Sequence, residues 1–243
     1  MKFSVITVSY NDLESLQKTV RSVADQIYTD YEHIIVDGGS DDGSVEYLET
    51  ISDPRVIWIS EKDRGIYDAM NKGIRRARGE VISFINAGDT YTTQALEIVA
   101  AYFDRGFDYV FGSVKSGKEI RHAFKPKKVW YSFDYYTRHS VGFFVKRDVH
   151  TEIGLYDLRF RNNADMEFFY KLVSNKRYRG ISTKENEVVG EFELGGFSSD
   201  TPYLDRITEE LRIRIKNGQG WPIALGLFLV RFIRHLKKTK DYS

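Results

Sequence analysis

"EVISFINAGDT", residues 80–90, sets an apolar run of strand character directly against a bend made of Asn86, Ala87, Gly88 and Asp89. The run from Val81 to Ile85 has the length and β-branched, aromatic make-up of a strand covered on both faces. Asn, Gly and Asp are turn formers, so the chain must change direction at once. A buried strand that ends by delivering an amide and a carboxylate into one short bend is what a parallel sheet does at its carboxyl edge, where ligands collect.

The same pattern occurs three times upstream. "FSVITVS" runs into Tyr10-Asn11-Asp12, "HIIVD" into Gly38 to Gly43, and "VIWIS" into Glu61 to Gly65. Between these runs lie "LESLQKTVRSVADQ", "SVEYLETI" and "IYDAMNKGIRRAR", each with apolar residues at helical spacing. Strands alternating with helices predict βαβ units in a mostly parallel sheet, so residues 1–112 read as an α/β half with a nucleotide-binding character. After a fifth run, "YVFGSV", the segment from Lys115 to His139 mixes basic and aromatic residues without clear period and predicts a long loop or irregular strands. "SVGFFVKRDVHTEIG" predicts a strand turning into a short helix. "NADMEFFYKLVSN" predicts a helix with Met166, Phe169, Tyr170 and Val173 on one face and Asn163 as its N-cap. "ENEVVGEFELGG" predicts a strand followed by a Gly-Gly turn. Residues 113–200 read as a second half of the same domain, and 201–243 as C-terminal helices.

The totals narrow the function classes. The 243 residues suit one large domain or a smaller one with a tail. With 42% hydrophobic and 29% charged residues, and Lys+Arg 36 against Asp+Glu 35, the chain is neither disordered nor a nucleic-acid binder by composition. It has no cysteine, which excludes disulfides, thiolate zinc sites and cysteine nucleophiles. The amino end, "MKFSVITVSYND", lacks a signal-peptide pattern, so a cytoplasmic location is expected, with contact to the inner face of the membrane as an extension of it. The tail "WPIALGLFLVRFIRHLKKTKDYS" is too short before its first charge to cross a bilayer, which takes roughly 20 apolar residues. Its apolar residues suit a helix lying in a membrane interface and a helix packed on the core equally well.

The strand-end loops gather Asp37, Asp41, Asp42, Asp63, Asp68 and Asp89 toward one edge. Carboxylates so placed need a cation or a ligand's donors to offset their repulsion. Oxygen ligands favour Mg²⁺ or Mn²⁺, ordinarily shared with phosphates, which points to a nucleoside diphosphate. Neither G-x-x-x-x-G-K-S/T nor G-x-G-x-x-G follows the first strand, so P-loop and dinucleotide chemistry are not indicated.

In "FSVITVSYND", "IIVDGGSDDGS", "EKDRGIYDAMNKGIRRARGEVISFINAGD", "NNADMEFFYKL" and "GGFSSD", taken in order, the chain resembles the family 2 glycosyltransferases of GT-A fold. The likeness covers roughly residues 1–200 and is nearest to bacterial enzymes that build capsule, exopolysaccharide and colanic-acid-type glycans. The resemblance implies a Rossmann-like, mostly parallel central sheet flanked by helices. It also implies an inverting, metal-dependent hexosyltransferase acting from a nucleotide sugar, UDP-linked by preference. The acceptor implied is a glycan or a polyprenyl-diphosphate-linked oligosaccharide.

Carried onto this sequence, the resemblance places Thr7, Ser9 and Tyr10 against base and ribose, with Asp37 accepting from the base. Lys62, Asp63 and Arg64 close the base pocket, and Asp68 and Asn71 face sugar and phosphates. Asn86-Ala87-Gly88-Asp89 stands where the family has D-x-D, so Asp89 would hold Mn²⁺ or Mg²⁺ and Asn86 would meet ribose or sugar. With Asn86 and Gly88 in place of carboxylates, metal binding without nucleotide is expected to be weak. Asp165 matches the base, opposite the leaving diphosphate. His139, Gly195, Gly196 and Ser198 would lie near acceptor or diphosphate, and Lys115, Lys118, Arg121, Lys125, Lys127 and Lys128 could meet a lipid diphosphate. Two other readings stay open: a catalytically weak domain that binds a nucleotide sugar, and a nucleotidyltransferase, for which "TVSYNDLES" lacks the Gly- and Lys-bearing triphosphate loop.

Overall fold

The computed structural model describes residues 2–132, 136, 139–192 and 202–240, with side chains of the final helix described through Leu236. The first half alternates as the sequence predicts: β1 (Phe3–Ser9), α1 (Leu13–Ala24), β2 (Tyr31–Asp37), α2 (Ser44–Glu49), β3 (Val56–Ser60), α3 (Ile66–Arg76) and β4 (Val81–Phe84). These four strands lie parallel in the order β4-β1-β2-β3. Every residue of β1, β2 and β4 is buried, and successive side chains serve opposite faces. Ile6, Val8, Ile34, Val36, Ile82 and Phe84 pack on one side with Ala69 and Met70 of α3. Phe3, Val5, Val81 and Ile85 pack on the other. Each such side chain removed from water contributes about 1.5–3 kcal/mol, so two-sided burial fixes the sheet between its helices.

The chain then makes β5 (Thr90–Tyr91), α4 (Ala95–Asp104), β6 (Tyr109–Phe111), β7 (Ser113–Ser116), β8 (Glu119–Arg121), β9 (Phe143–Lys146), α5 (Arg147–Ile153), α6 (Ala164–Ser174), β10 (Gly180–Ser182) and β11 (Val188–Glu191). β9 enters the central sheet antiparallel between β4 and β6, completing the order β10-β6-β9-β4-β1-β2-β3. A smaller sheet, β5-β11-β7-β8, stands beside it. The single apolar run "YVFGSV" is therefore divided between two sheets, and Gly112 is the division. A Cβ there would stand 2.4 Å from Val189 Cγ2, so only glycine lets β11 approach while the chain leaves one sheet for the other. The segment expected as loop or irregular strands contains the β7–β8 pair and a short 3-10 turn, Pro126–Lys128.

α6 forms as expected, with Met166, Phe169 and Tyr170 buried. Asn163 takes the N-cap position, but its amide donates to Arg206 O and Glu209 Oε2 instead of capping the helix. Those partners belong to α7 (Tyr203–Lys216), which lies against α6 and is followed by α8 (Trp221–Lys240). Lys216 bridges Asp157 and Glu167, tying α7 to the loop before α6 and to α6 itself. α7 and α8 form an antiparallel pair: Tyr203 stacks on His235 at 4.3 Å, and Glu210 pairs with Arg231.

Candidate active site

Four loops meet at the carboxyl ends of β1, β2, β3 and β4. They are joined to one another by hydrogen bonds that no single loop could make. Asp37, fully buried, accepts from the backbone N–H of Gly39 and Ser40 and from the hydroxyls of Ser40 and Ser60. Gly38 N–H donates to Ser9 O at 2.9 Å, while Asn11 N–H donates to Ser40 Oγ and Asp41 N–H to Asn11 Oδ1. Asp42 accepts from Leu13 N–H at the start of α1 and from Ser44 N–H at the start of α2. A buried carboxylate with this many donors fixes the bend that follows. Asp37 thus organises the pocket wall, and its oxygens are turned to its own loop and to Ser60.

What this loop presents outward is a small cleft around Gly38. A Cβ added there would meet Asp63 Oδ2 at 2.9 Å and Tyr10 Cδ2 at 3.0 Å, and one at Gly39 would meet Lys62 Cγ at 3.4 Å. Tyr10, Lys62 and Asp63 therefore converge on a bare stretch of backbone, with the Tyr10 ring 65% exposed. An open aromatic face beside a carboxylate suits a nucleobase, which offers a flat ring and N–H donors. Next to it, Arg64 donates to Asp68 from its backbone and guanidinium at 3.1–3.3 Å. The arginine beside Asp68 holds that carboxyl below its usual range.

A second cluster forms beyond β4. The bend 86–89 is fixed by Ala87 N–H to Val8 O and by the Thr19 hydroxyl, which donates to Asp89 O at 2.8 Å and accepts from Gly88 N–H. Asp89 is 6% exposed, and its Oδ2 lies 3.6 Å from His139 Nδ1. The imidazole stacks on Phe192 at 3.9 Å, and burial, with Arg121 nearby, pushes its pKa down to about 4. Near neutral pH it is uncharged, and its Nδ1 accepts from Val141 N–H at 3.5 Å, so the ring brings no positive charge to balance the Asp89 carboxylate across this gap. A cation suits such a pair. Asn86 donates to Ser140 Oγ, whereas its Oδ1, like the Ser9 hydroxyl at the end of β1, is buried without a hydrogen-bond partner. Buried polar atoms of this kind at a strand edge are what a bound ligand satisfies.

Asp165 enters from the first turn of α6. Tyr67, in the first turn of α3, donates to Asp165 Oδ1 at 2.7 Å and lies 3.2 Å from Asn162 O. Burial and the neighbouring carboxylate raise the phenol well above 10, so it acts as a donor throughout the useful pH range. Tyr67, Tyr156 and Phe84 form a row of ring contacts at 5.5 and 5.6 Å, which connects Asp165 to the end of the strand that carries Asn86 and Asp89.

Besides Asp37, whose oxygens are taken up by Gly39, Ser40 and Ser60 instead of facing a base, two expected contacts are arranged otherwise. Thr7 is fully buried and its hydroxyl pairs with His33 Nε2 at 2.8 Å, because β1 is covered on both faces and position 7 points inward. Asn71, expected toward sugar and phosphates, is 2% exposed and clamps the Tyr156 backbone with both ends of its amide, at 2.9 Å each. Gly195, Gly196 and Ser198 lie outside the described residues. Tyr67, Ser60 and Thr19 were missed by sequence reasoning; each acts through a partner far along the chain, and no local pattern marks them.

A profile of the family described as "Glycosyl transferase family 2" matches residues 4–162. An uncharacterized glycosyltransferase of Mycobacterium tuberculosis is 37% identical over 186 residues, 69% of this chain and 67% of that protein. A Mycobacterium bovis protein named PGL/p-HBAD biosynthesis glycosyltransferase is 29% identical over 227 residues, covering 88% and 87%. Among solved structures, S. aureus TarS 1-349 in complex with UDP-GlcNAc superposes with a TM-score of 0.70 at 15% identity, over 98% of this chain and 73% of that one. The chain covers 39% of a longer TarS structure. A mannosyltransferase from Pyrobaculum calidifontis, in complex with GDP-Man and Mn²⁺, gives 0.64 at 18% identity, over 95% and 68%. These likenesses establish the GT-A fold.

Proposed function

As this chain belongs to glycosyl transferase family 2, we propose that it transfers a hexose, with inversion, from a UDP-sugar to a glycan or polyprenyl-diphosphate-linked acceptor in cell-surface polysaccharide assembly on the cytoplasmic side. The observation that carries the reading is the meeting of Asp89 and His139 at 3.6 Å beside the buried Asn86 amide oxygen and Ser9 hydroxyl. UDP as the nucleotide is supported by the fold shared with the UDP-GlcNAc complex of TarS, and a cell-surface product by the naming of the mycobacterial relative.

Tyr10, Lys62 and Asp63 receive the base, and the Asp37-ordered bend holds the backbone that approaches it. Asp89 and His139 would hold Mn²⁺ or Mg²⁺, which when bound offsets the negative charge gained by the leaving diphosphate. Asp165, oriented by Tyr67, accepts the proton of the acceptor hydroxyl as that oxygen bonds to the sugar's anomeric carbon from the side opposite the diphosphate. Fixing the carboxylate in advance removes the cost of ordering it at the moment of transfer.

The test is a panel of sugar nucleotides with Mn²⁺, followed by NMR of the anomeric proton. Release of UDP with inverted product, abolished in Asp165→Asn while UDP still binds, is the expected result. Undiminished turnover in that variant, or a retained anomeric configuration, would overturn the assignment.

A further inference from the structure

We propose that Trp130, Tyr131 and the outward face of α8 form one surface that seats the protein on an anionic lipid bilayer. The inference stands apart from sugar transfer, since its test uses no donor and no acceptor.

α8 presents its other face to α7: Ala224 is buried, Arg231 pairs with Glu210, and His235 stacks on Tyr203. Facing away is a stripe at helical spacing, Leu225, Leu229 and Ile233, exposed by 37%, 45% and 51%. The sequence of this helix, "WPIALGLFLVRFIRHLKKTK", contains no acidic residue and, beyond the paired Arg231, has Arg234, Lys237, Lys238 and Lys240 toward its end. None of the described helices is long and apolar enough to cross a membrane. An apolar stripe with a purely basic end fits a helix lying in the headgroup region.

A second observation, from a separate part of the chain, extends the same surface. The 3-10 turn Pro126–Lys128 leads to Val129, which is 2% exposed, and its carbonyl accepts from Arg214 Nη1 of α7 at 3.1 Å. The next carbonyl, that of Trp130, accepts from Gln219 Nε2, two residues before Trp221 at the start of α8. The backbone is thus pinned to the α7–α8 corner, yet Trp130 and Tyr131 are 51% and 57% exposed, and Trp221 is 67% exposed. Lys125 and Lys127 flank them in the open. Amphipathic rings set beside lysines match the membrane–water boundary, where each ring meets both lipid and water. A second copy of this face would bring like charge against like.

The probe is the intact protein with vesicles of phosphatidylcholine, with and without phosphatidylglycerol. Its tryptophans are Trp58, Trp130 and Trp221. We expect co-sedimentation with the anionic vesicles, at least tenfold weaker on neutral ones, and quenching of tryptophan emission by lipids brominated on their acyl chains. Leu229→Glu with Ile233→Glu should lower partitioning at least tenfold, and Trp130→Ser with Tyr131→Ser severalfold, with far-UV circular dichroism unchanged. Quenching in the unaltered protein keeps the test decisive if a variant fails to fold. The proposal falls if the protein stays in the supernatant without quenching. It also falls if the Trp130 and Tyr131 variant partitions normally, or if sedimentation velocity without lipid shows a dimer that the Leu229 and Ile233 changes dissolve.

Discussion

Tyr67 and Asp165 lie 98 positions apart in the chain and are joined by a 2.7 Å hydrogen bond from the phenol to Oδ1. The bond locks the first turn of α3, which follows β3, to the first turn of α6. It thereby fixes the proposed base relative to the strand edge that bears the nucleotide loops. Tyr67→Phe removes the donor while keeping the ring contact with Tyr156. General-base positioning of this kind is worth on the order of 10–100-fold in kcat, within the 10²–10⁴ that a base supplies altogether. The KM for the donor sugar nucleotide should change little, because Tyr67 does not line the Gly38 cleft. Steady-state kinetics on Tyr67→Phe, Tyr67→Ala and Asp165→Asn check this. A rise in donor KM with unchanged kcat would show that Tyr67 serves binding instead.

The Asp89 and His139 pair makes a separate prediction about metal. With one carboxylate and one neutral imidazole, the pair supplies fewer anionic oxygens than a cage that binds a divalent cation by itself. UDP should therefore bind more tightly in the presence of Mn²⁺, and Mn²⁺ alone only feebly. Asp89→Asn and His139→Ala should each weaken the Mn²⁺-dependent part of UDP binding about 10–100-fold, as loss of a ligand or its support commonly does. Titration calorimetry with UDP, with and without Mn²⁺, measures that difference. Equal UDP affinity with and without Mn²⁺ in the unaltered protein would remove the metal from the reading.

Part of this arrangement is visible in the sequence because two local signals coincide there. Strand runs such as "HIIVD" and "VISFI" carry a period and a length, and the Asp, Asn and Gly that follow carry turn chemistry, so the carboxyl edge can be found from single segments. How deep a residue lies along a strand buried on both faces is not encoded locally. Thr7 and Ser9 point to the same face two residues apart, yet Thr7 lies deep enough to meet His33, whereas Ser9 sits at the edge with its hydroxyl unbonded. Asn71 likewise sits in a motif that looks ligand-facing, but the Tyr156 backbone, 85 residues on, takes both ends of its amide. The antiparallel entry of β9 between β4 and β6 is also silent in sequence, since a short apolar run such as Phe143 to Val145 reads the same in either direction.

Gly38 allows the cleft to be tested without touching a charged group. A Cβ would lie 2.9 Å from Asp63 Oδ2, 3.0 Å from Tyr10 Cδ2 and 3.3 Å from Tyr10 Cβ, so the carboxylate and the whole tyrosine side chain must shift. Gly38→Ala should therefore fold at a cost of about 1 kcal/mol, while pushing Tyr10 and Asp63 out of register with a base. UDP affinity should drop roughly tenfold, the equivalent of about 1.4 kcal/mol. Thermal denaturation with and without UDP separates the two effects. A large fall in melting temperature without ligand would mean that Gly38 serves the fold and not the cleft.

His150, with His33 and His139, should weaken the fold in acid. It is fully buried in α5, stacked at 4.3 Å on Phe168 and edge-on to Tyr156, and neither ring nitrogen has a hydrogen-bond partner. Burial pushes its pKa down to about 4, and it does the same to His33, down to about 3. An unfolded histidine titrates near 6.5, so below that pH the unfolded chain binds protons that the native state refuses. Stability is therefore complete above pH 6.5 and falls as the pH drops toward 4. The His150 share is about 3 kcal/mol, at about 1.4 kcal/mol for each unit between the two values. His150→Phe removes an unsatisfied imidazole from an aromatic setting, so at pH 7.5 it should be neutral or slightly stabilising. Between pH 6.5 and 4 it should lessen the slope of unfolding free energy by about one proton, while His33 and His139 keep theirs. Urea unfolding followed across this range gives both quantities. An unchanged slope in the variant would mean that His150 accepts its proton inside the native core.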